Sequence, residues 1–451
     1  MKRRQFIGSS GAAAIAASIG LPSCSSGLDA EVIIMGGGIA GLSLAYQFEK
    51  EGRDYILLEG SPRLGGRLFT HEGLQNREVG GRGIGDKYIE LMKLVEELDV
   101  DLIDITDYMR SPTSIYYKGE LHKDWNPDNG TSPRLLQYQL ATPLPSLSAL
   151  DEWYRRPDLD QVYSWHLLNS GRTEEDLDII NIDANYNDVR ETSVLNALHS
   201  AAFRKFNGSR RVYNFKNGSK TLIDAITSKL SHPVLTSKMV SSIADDGKCI
   251  TAKCEDGTKY CAQKLVSTLP FSTLRDVQSN LSYSVNQKKA IRELGYTRIT
   301  QIHIKPTMHF WEEDGYHVDM WTDTPLERIM NASAIKENYE LVCWVNGKGA
   351  DFIDKMSDDE IKAFTLNTLK DIRPACEGKL EYIGTHSWAK YRYNKGAYAE
   401  FKVGQPALFE DMIRPAGNLH FAGEHTARAS RGIEGAAESA VRVLKELEKA
   451  A

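Results

Sequence analysis

The sequence predicts an α/β fold, α+β overall, and three observations carry that prediction. A short β-branched run, Glu31–Met35, passes directly into Gly36-Gly37-Gly38-Ile39-Ala40-Gly41 and a helical pattern that ends near Glu51. A second apolar strand, Asp54–Leu58, follows and ends in the acid Glu59. Farther on, Thr300–Lys305 and Glu340–Val345 read as strands, and Ser357–Arg373 reads as an amphipathic helix opened by a Ser357/Glu360 capping box. Together these describe a Rossmann-like nucleotide-binding unit interleaved with a mixed-sheet-plus-helices region.

Each part of the first unit has a physical task. Gly36 permits the tight turn off the strand, Gly38 lets backbone approach a pyrophosphate, and Gly41 lets helix and strand pack closely. Ile39 and Ala40 open the helix, whose free N–H groups and positive dipole end suit a diphosphate. Glu59 is placed to accept hydrogen bonds from a ribose hydroxyl. Strand, glycines, helix, strand and terminal acid in this order mark a dinucleotide site.

Composition narrows the partners. The chain has 451 residues, with 55 Lys and Arg against 61 Asp and Glu, a net charge of −6. No basic excess is available to neutralise a nucleic-acid backbone, so none is expected as a partner. Six cysteines in a chain of this length do not make a disulfide scaffold. Cys254 and Cys261 flank a hairpin turn expected at Asp256-Gly257. A two-residue turn there sets Cys254 opposite Lys259 and Cys261 opposite Ala252, which argues against a bond between the two. Cys249, Cys254, Cys261, Cys343 and Cys376 are all read as ordinary thiols, and no metal-ligand spacing is found.

After Glu59 the chain reads Gly60-Ser61-Pro62-Arg63-Leu64-Gly65-Gly66-Arg67. This E-x-x-x-R-x-G-G-R block resembles that of the FAD-dependent amine oxidase superfamily, which includes monoamine, polyamine and L-amino acid oxidases. The resemblance implies that Gly66 and Arg67 hold FAD near its pyrophosphate and ribityl chain. Further blocks extend it. Glu78-Val79-Gly80-Gly81-Arg82-Gly83 is similar to the family segment that passes the flavin ring, which brings in Gly81 and Arg82. Leu235–Val240 is similar to the strand whose valine, here Val240, clamps the adenine, and Leu265–Pro270 to the strand returning from the hairpin. Leu419–Thr426 and Gly432–Ala436 resemble the last block, with Gly423, Glu424 and Ile433 at the flavin and a helix from about Glu434 to Lys449. By this resemblance residues 29–90, 215–275 and 400–451 build a discontinuous FAD-binding domain. Residues 91–214 and 276–399 build the substrate domain, with helices expected at Tyr88–Leu98 and Ser193–Phe206.

The resemblance also implies a chemistry. A neutral amine or amino acid gives a hydride to flavin N5, and the imine then hydrolyses. Trp388 is expected beside the isoalloxazine, and Tyr398 as one wall of an aromatic pair around the amine. Two positions depart from the family. The second wall falls at Gly432, which leaves the cage open on one side. Gln301 stands where family oxidases carry a lysine tied to O2 reactivity, and Lys305, on the same face of the strand, is too distant to replace it. Either O2 or another redox partner is therefore open as electron acceptor. Ala397 occupies the position at which some members tether the flavin through cysteine, so FAD is expected to be non-covalent. Arg82, Arg204 or Arg392 are candidates to meet a substrate carboxylate. His303, His309 and His386 are read as structural. A C–C desaturase of the protoporphyrinogen or carotenoid type, and a non-catalytic flavoprotein, are the alternative readings.

The N-terminus reads as an address. Arg3-Arg4-Gln5-Phe6-Ile7 resembles a twin-arginine export signal, and Leu21-Pro22-Ser23-Cys24 resembles a lipobox. Residues 1–28 are therefore expected to be a signal and linker. The mature chain is expected in the periplasm, soluble or held at the membrane by a lipid on Cys24.

Overall fold

A computed structural model describes residues 27–109, 111–123, 147, 149–333 and 339–449. The Arg3-Arg4 pair and Cys24 lie outside the described residues. The chain is organised around two sheets. In the eight-stranded sheet, strand β1 (Ala30–Met35) lies between β2 (Tyr55–Leu58) and Lys259–Ser267, parallel to both. Val234–Leu235 extends the parallel set beyond β2, and Leu419–Phe421 joins it beside Lys259–Ser267. Antiparallel strands Ile250–Cys254 and Val240–Asp245 follow on the hairpin side, and Gln278–Ser279, parallel to Val240–Asp245, forms the edge. Val32, Ile33 and Ile34 of β1 are wholly buried, as strands covered on both faces require.

Helix α1 (Ile39–Glu51) matches the sequence expectation and ends at Gly52, whose φ of 68° gives the left-handed stop. Its apolar residues, among them Leu42, Ala45 and Phe48, share a core with Ala440, Val443 and Leu447 of the C-terminal helix Gly432–Lys449. That helix begins two residues earlier than expected. Helices Ile89–Glu97, Val194–Asn207 and Asp358–Ile372 occupy the expected regions, and Ser357 and Glu360 form the capping box.

The second sheet has seven strands, in the order Leu380–Ser387, Ile299–Pro306, Leu341–Asn346, Arg328–Asn331, Asp319–Thr322, Thr113–Tyr117 and Glu120–His122. Its register sets His386, Gln301, Trp344, Arg328 and Trp321 directly opposite one another on successive strands. Residues opposed in this way share one face, so a single row of large side chains crosses the sheet.

Three expectations need correction. Leu235–Val240 is not one strand. The chain turns at Ser237, whose φ is 57°, and Val240 begins the next strand. The hairpin register is shifted by one residue, with Lys253 opposite Lys259 and Thr251 opposite Cys261. The connection is longer than a two-residue turn, because Cys254 N–H bonds the Thr258 carbonyl and the Asp256 carboxylate bonds Thr258. Finally, the cysteines are not all free. Cys249 and Cys261 form a disulfide with Cα atoms 6.0 Å apart, diagonal to the Thr251–Cys261 pair. Cys261 is also clipped to Asp29: its carbonyl accepts from Asp29 N–H, and its own N–H donates to the Asp29 carboxylate.

Denatured without reductant, a chain starting at Gly27 is expected to titrate three thiols, Cys254, Cys343 and Cys376. The double variant C249S/C261S is expected to lose about 2–3 kcal/mol of unfolding free energy, the value for a loop of this size, read by denaturant titration.

Candidate active site

One elongated cavity, enclosing about 1530 Å³ including its open mouth, lies at the C-terminal ends of the parallel strands. Met35, Leu58 and Thr268, at or just past the strand ends, line it, as the crevice rule for open α/β sheets requires. Of the residues singled out above, Gly36, Gly38, Ile39, Ala40, Glu59, Gly66, Arg67, Gly81, Val240, Gly423, Glu424, Ile433, Trp388 and Tyr398 all line it. Gly41, Arg82 and Gln301 stand just behind its walls.

At one end Glu59 meets the glycine turn. Its carboxylate accepts from Gly37 N–H at 2.6 Å and Ser61 N–H at 2.7 Å, and its edge faces the cavity. Val240 and its neighbour Met239 flank this end. The turn works only with glycine. A Cβ on Gly41 would lie 2.0 Å from the Gly36 carbonyl oxygen, and one on Gly66 would lie 3.1 Å from the Gly38 Cα. Gly38 caps α1 with no side chain on the cap and no acid in the first turn. The C-terminal helix points its own N-terminus at the same cavity through Gly432, Ile433 and Ala436. The acid in its first turn, Glu434, is turned away to accept from Glu90 and Leu91 N–H groups. Two positive helix ends and a close-packed glycine cradle fit a diphosphate.

In the middle, Arg67 donates to Glu424 at 2.8 Å and to the Ala397 carbonyl, while Glu424 also accepts from Ala399 N–H. Three distant segments meet at this pair. Arg63 acts differently. Its guanidinium bonds the carbonyls of Leu64, Gly66 and Leu68 and lies 3.5 Å over the Phe69 ring, so it holds the Gly65–Arg67 turn in shape.

At the far end the Val79 carbonyl accepts two bonds, from Trp388 Nε1 at 2.9 Å and from Gln301 Nε2 at 3.0 Å. Trp388 is thus fixed at the wall with Gln301 behind it. Lys305 is exposed and paired in register with Glu381, far from this end. Tyr398 is half-buried. Burial pushes its phenol up, and Arg328, Arg67 and Arg82 pull against that shift. A side chain at Gly432 would meet nothing within 4 Å, so the cavity is open at this position, where the second aromatic wall was expected. Arg431 next to it donates Nε–H to His199 at 2.8 Å.

Sequence reasoning missed Trp344, which lines the cavity, and Tyr391, which packs against Trp388 at 5.6 Å. Trp344 was visible inside the Glu340–Val345 run, but its place beside Trp388 depends on strand register. The carboxylate candidates separate in space. Arg392 sits at the mouth against Glu255, while Arg82 lies 6.0 Å over Trp344 and Arg204 lies near Tyr88. No helix among the described residues is long and apolar enough to cross a membrane.

The model of the flavin containing amine oxidoreductase family matches residues 39–444. The chain belongs to that family. It is an enzyme that oxidises amines or amino acids at a C–N bond with FAD. Among its relatives is the flavin-dependent L-tryptophan oxidase RebO of Lentzea aerocolonigenes, 23% identical over 93% of this chain and 98% of that one. The solved structure of a putrescine oxidase bound to putrescine shares the fold, with a TM-score of 0.75, 20% identity and coverage of 93% and 99% of the two chains. Cyclohexylamine oxidase from Brevibacterium oxydans IH-35A does likewise, with a TM-score of 0.72, 19% identity and coverage of 93% and 100%.

Two outcomes are expected. Gly41→Ala should yield protein with little bound flavin and a lower unfolding temperature, read from the ratio of flavin to protein absorbance and by calorimetry. Burial holds His386 and His425 down at about 3, so both are neutral in the folded protein, whereas the unfolded chain takes up protons near 6.5. Stability present above pH 6.5 should therefore fall as pH drops toward 3, by about 1.4 kcal/mol per pH unit for each histidine. His386→Phe should flatten that slope in pH-dependent denaturation.

Proposed function

We propose that this enzyme oxidises an α-amino acid, whose carboxylate is drawn by the positive charge of Arg82 behind Trp344. The observation that carries this reading is the Arg82 guanidinium. It lies over Trp344 beside Tyr398 and has no carboxylate partner among the described residues. Arg328, opposite Trp344 in the sheet, adds positive field while bonded to the Asp183 carbonyl and the Asn185 side chain. An anionic group is favoured there and a bare diamine is not. The open side at Gly432 suits a bulky side chain.

FAD, when bound, supplies the two-electron acceptor at N5 for the hydride from the α-carbon. The chain's own residues do the rest. Trp388 and Tyr398 line the approach and would orient the amine, Trp344 closes the sheet side, and the two helix ends with Arg67 would hold FAD along its diphosphate and ribityl chain. Gly81 and Ile433, whose side chain would touch a Cβ on Gly81, keep backbone close to the ring site. Glu59 and Val240 serve the adenosine half. Ala397 offers no nucleophile, so acid denaturation should release the flavin into the supernatant.

Gln301 brings no positive charge to the reacting ring, which favours a slow reaction with O2 and an external redox partner as acceptor. Gln301→Lys should raise the rate of reoxidation by O2 about tenfold or more, measured by stopped-flow. Anaerobic titration tests the main reading: L-amino acids should bleach the flavin where the matching decarboxylated amines do not. Arg82→Leu should raise KM for the amino acid by roughly 10- to 100-fold with a smaller effect on kcat. Equal bleaching by amino acid and amine would overturn the assignment.

We also propose that segments 29–90, 215–275 and 400–451 bind FAD and segments 91–214 and 276–399 the substrate; the two sheets support this division except at Gln278–Ser279, which pairs with Val240–Asp245 in the nucleotide-binding sheet. We also infer export through the Arg3-Arg4 signal, ending in the periplasm or at the membrane on a lipidated Cys24. The Cys249–Cys261 disulfide supports an oxidising compartment. The double variant R3K/R4K should leave the precursor in the cytoplasmic fraction.

A further inference from the structure

Behind Trp388, five buried polar atoms have no hydrogen-bond partner among the described residues: Gln301 Oε1, both ring nitrogens of His303, His386 Nε2 and His71 Nδ1. They form one cluster. Gln301 stands opposite His386 on the neighbouring strand, and His303 is two residues along on the same face as Gln301. The His386 and His71 rings are 5.7 Å apart. Gln301 and His303 are wholly buried and His386 is 6% exposed. His71 is half-buried, next to exposed Glu72 and Gly73. The cluster therefore begins at the wall of the active site and ends at the surface.

Its inner end is oriented. Gln301 Nε2 is committed to the Val79 carbonyl, so Oε1 is left unbonded on the sheet face that Gln301 shares with His386 and His303. Buried groups that lack partners destabilise a fold unless water satisfies them, and a polar cleft with this many donors and acceptors is where internal water is held. Burial keeps both inner imidazoles neutral, and Arg63, Arg77 and Arg82 around them oppose a resting positive charge. A neutral ring accepts at one nitrogen while it donates from the other.

We propose that Gln301, His386, His303 and His71, bridged by internal water, form a proton path between the flavin side of the active site and the surface at His71. The need for such a path rests on the C–N oxidation proposed above; its existence does not. Converting the amine to an imine breaks one C–H and one N–H bond, forms the C=N double bond, and removes two electrons and two protons. When O2 is the acceptor it takes all of them and leaves as peroxide. When one-electron carriers are the acceptor, two of them take one electron each and no protons, so protons are left to leave through the protein. The path supplies that exit, and it suits a site in which Gln301 replaces a cation.

Two measurements test the proposal. A high-resolution crystal structure of the wild-type holoenzyme is expected to show ordered water within hydrogen-bond distance of Gln301 Oε1, His386 Nε2 and His303. A dry cluster, or protein partners on those atoms, would overturn it without touching the amino acid assignment. In the second, reduced enzyme is reoxidised by ferricenium, and proton release is followed with a pH indicator. His71→Ala is expected to slow release at least tenfold, with an enlarged solvent deuterium isotope effect, and added imidazole is expected to restore the rate. Unchanged release in both His71→Ala and His71→Phe, or a loss that imidazole does not restore, would defeat the proposal. Failure of every amine and amino acid to bleach the flavin anaerobically would instead count against the proposed function, and the crystallographic result would stand.

Discussion

A single carbonyl oxygen, that of Val79, fixes the geometry of the reactive end of this enzyme. It accepts from the indole of Trp388 and the amide of Gln301, which belong to different parts of the second sheet region. Val79 itself sits on the loop that follows the glycine-rich turn. The bond pair therefore ties the nucleotide-binding half to the half that presents the substrate. Arg67 and Glu424 make the second tie, joining the turn after β2, the Ala397–Ala399 segment and the last strand-helix junction. Both ties are substantially buried, where charge-assisted and indole hydrogen bonds are held in fixed directions. The cavity inherits its shape from these few contacts.

The nucleotide half was largely legible in the sequence because its signals are local. A β-branched strand, a glycine turn and an acid at the end of the next strand follow one another within a single stretch from Glu31 to Glu59, and each residue type has a steric or electrostatic reason to be there. Gly41 is the clearest case: no other residue fits against the Gly36 carbonyl. The helix of Asp358–Ile372 was equally legible, since its capping box is written between Ser357 and Glu360.

What escaped the sequence is whatever depends on register between strands far apart in the chain. Trp344 reaches the cavity because it stands opposite Gln301 on one side and Arg328 on the other. Nothing within its own strand says so. The same limit explains the disulfide. A two-residue turn at Asp256-Gly257 would set one register; the connection is longer, and every partner along the hairpin is moved by one position. Cys249 and Cys261 then came within bonding reach, while Cys254 was left buried and free. Side chains alternate between faces along a strand, so a shift of one residue brings Cys249 onto the face of Cys261, while the expectation that Cys254 and Cys261 do not bond holds.

The clip between Asp29 and Cys261 has a geometric corollary for the molecule's posture. Asp29 enters β1 at its N-terminal end, and the cavity opens at the other end, about 20 Å away for a strand of six residues. The chain thus enters the sheet at the end opposite the catalytic crevice. The segment that leads into β1 therefore leaves access to the crevice clear.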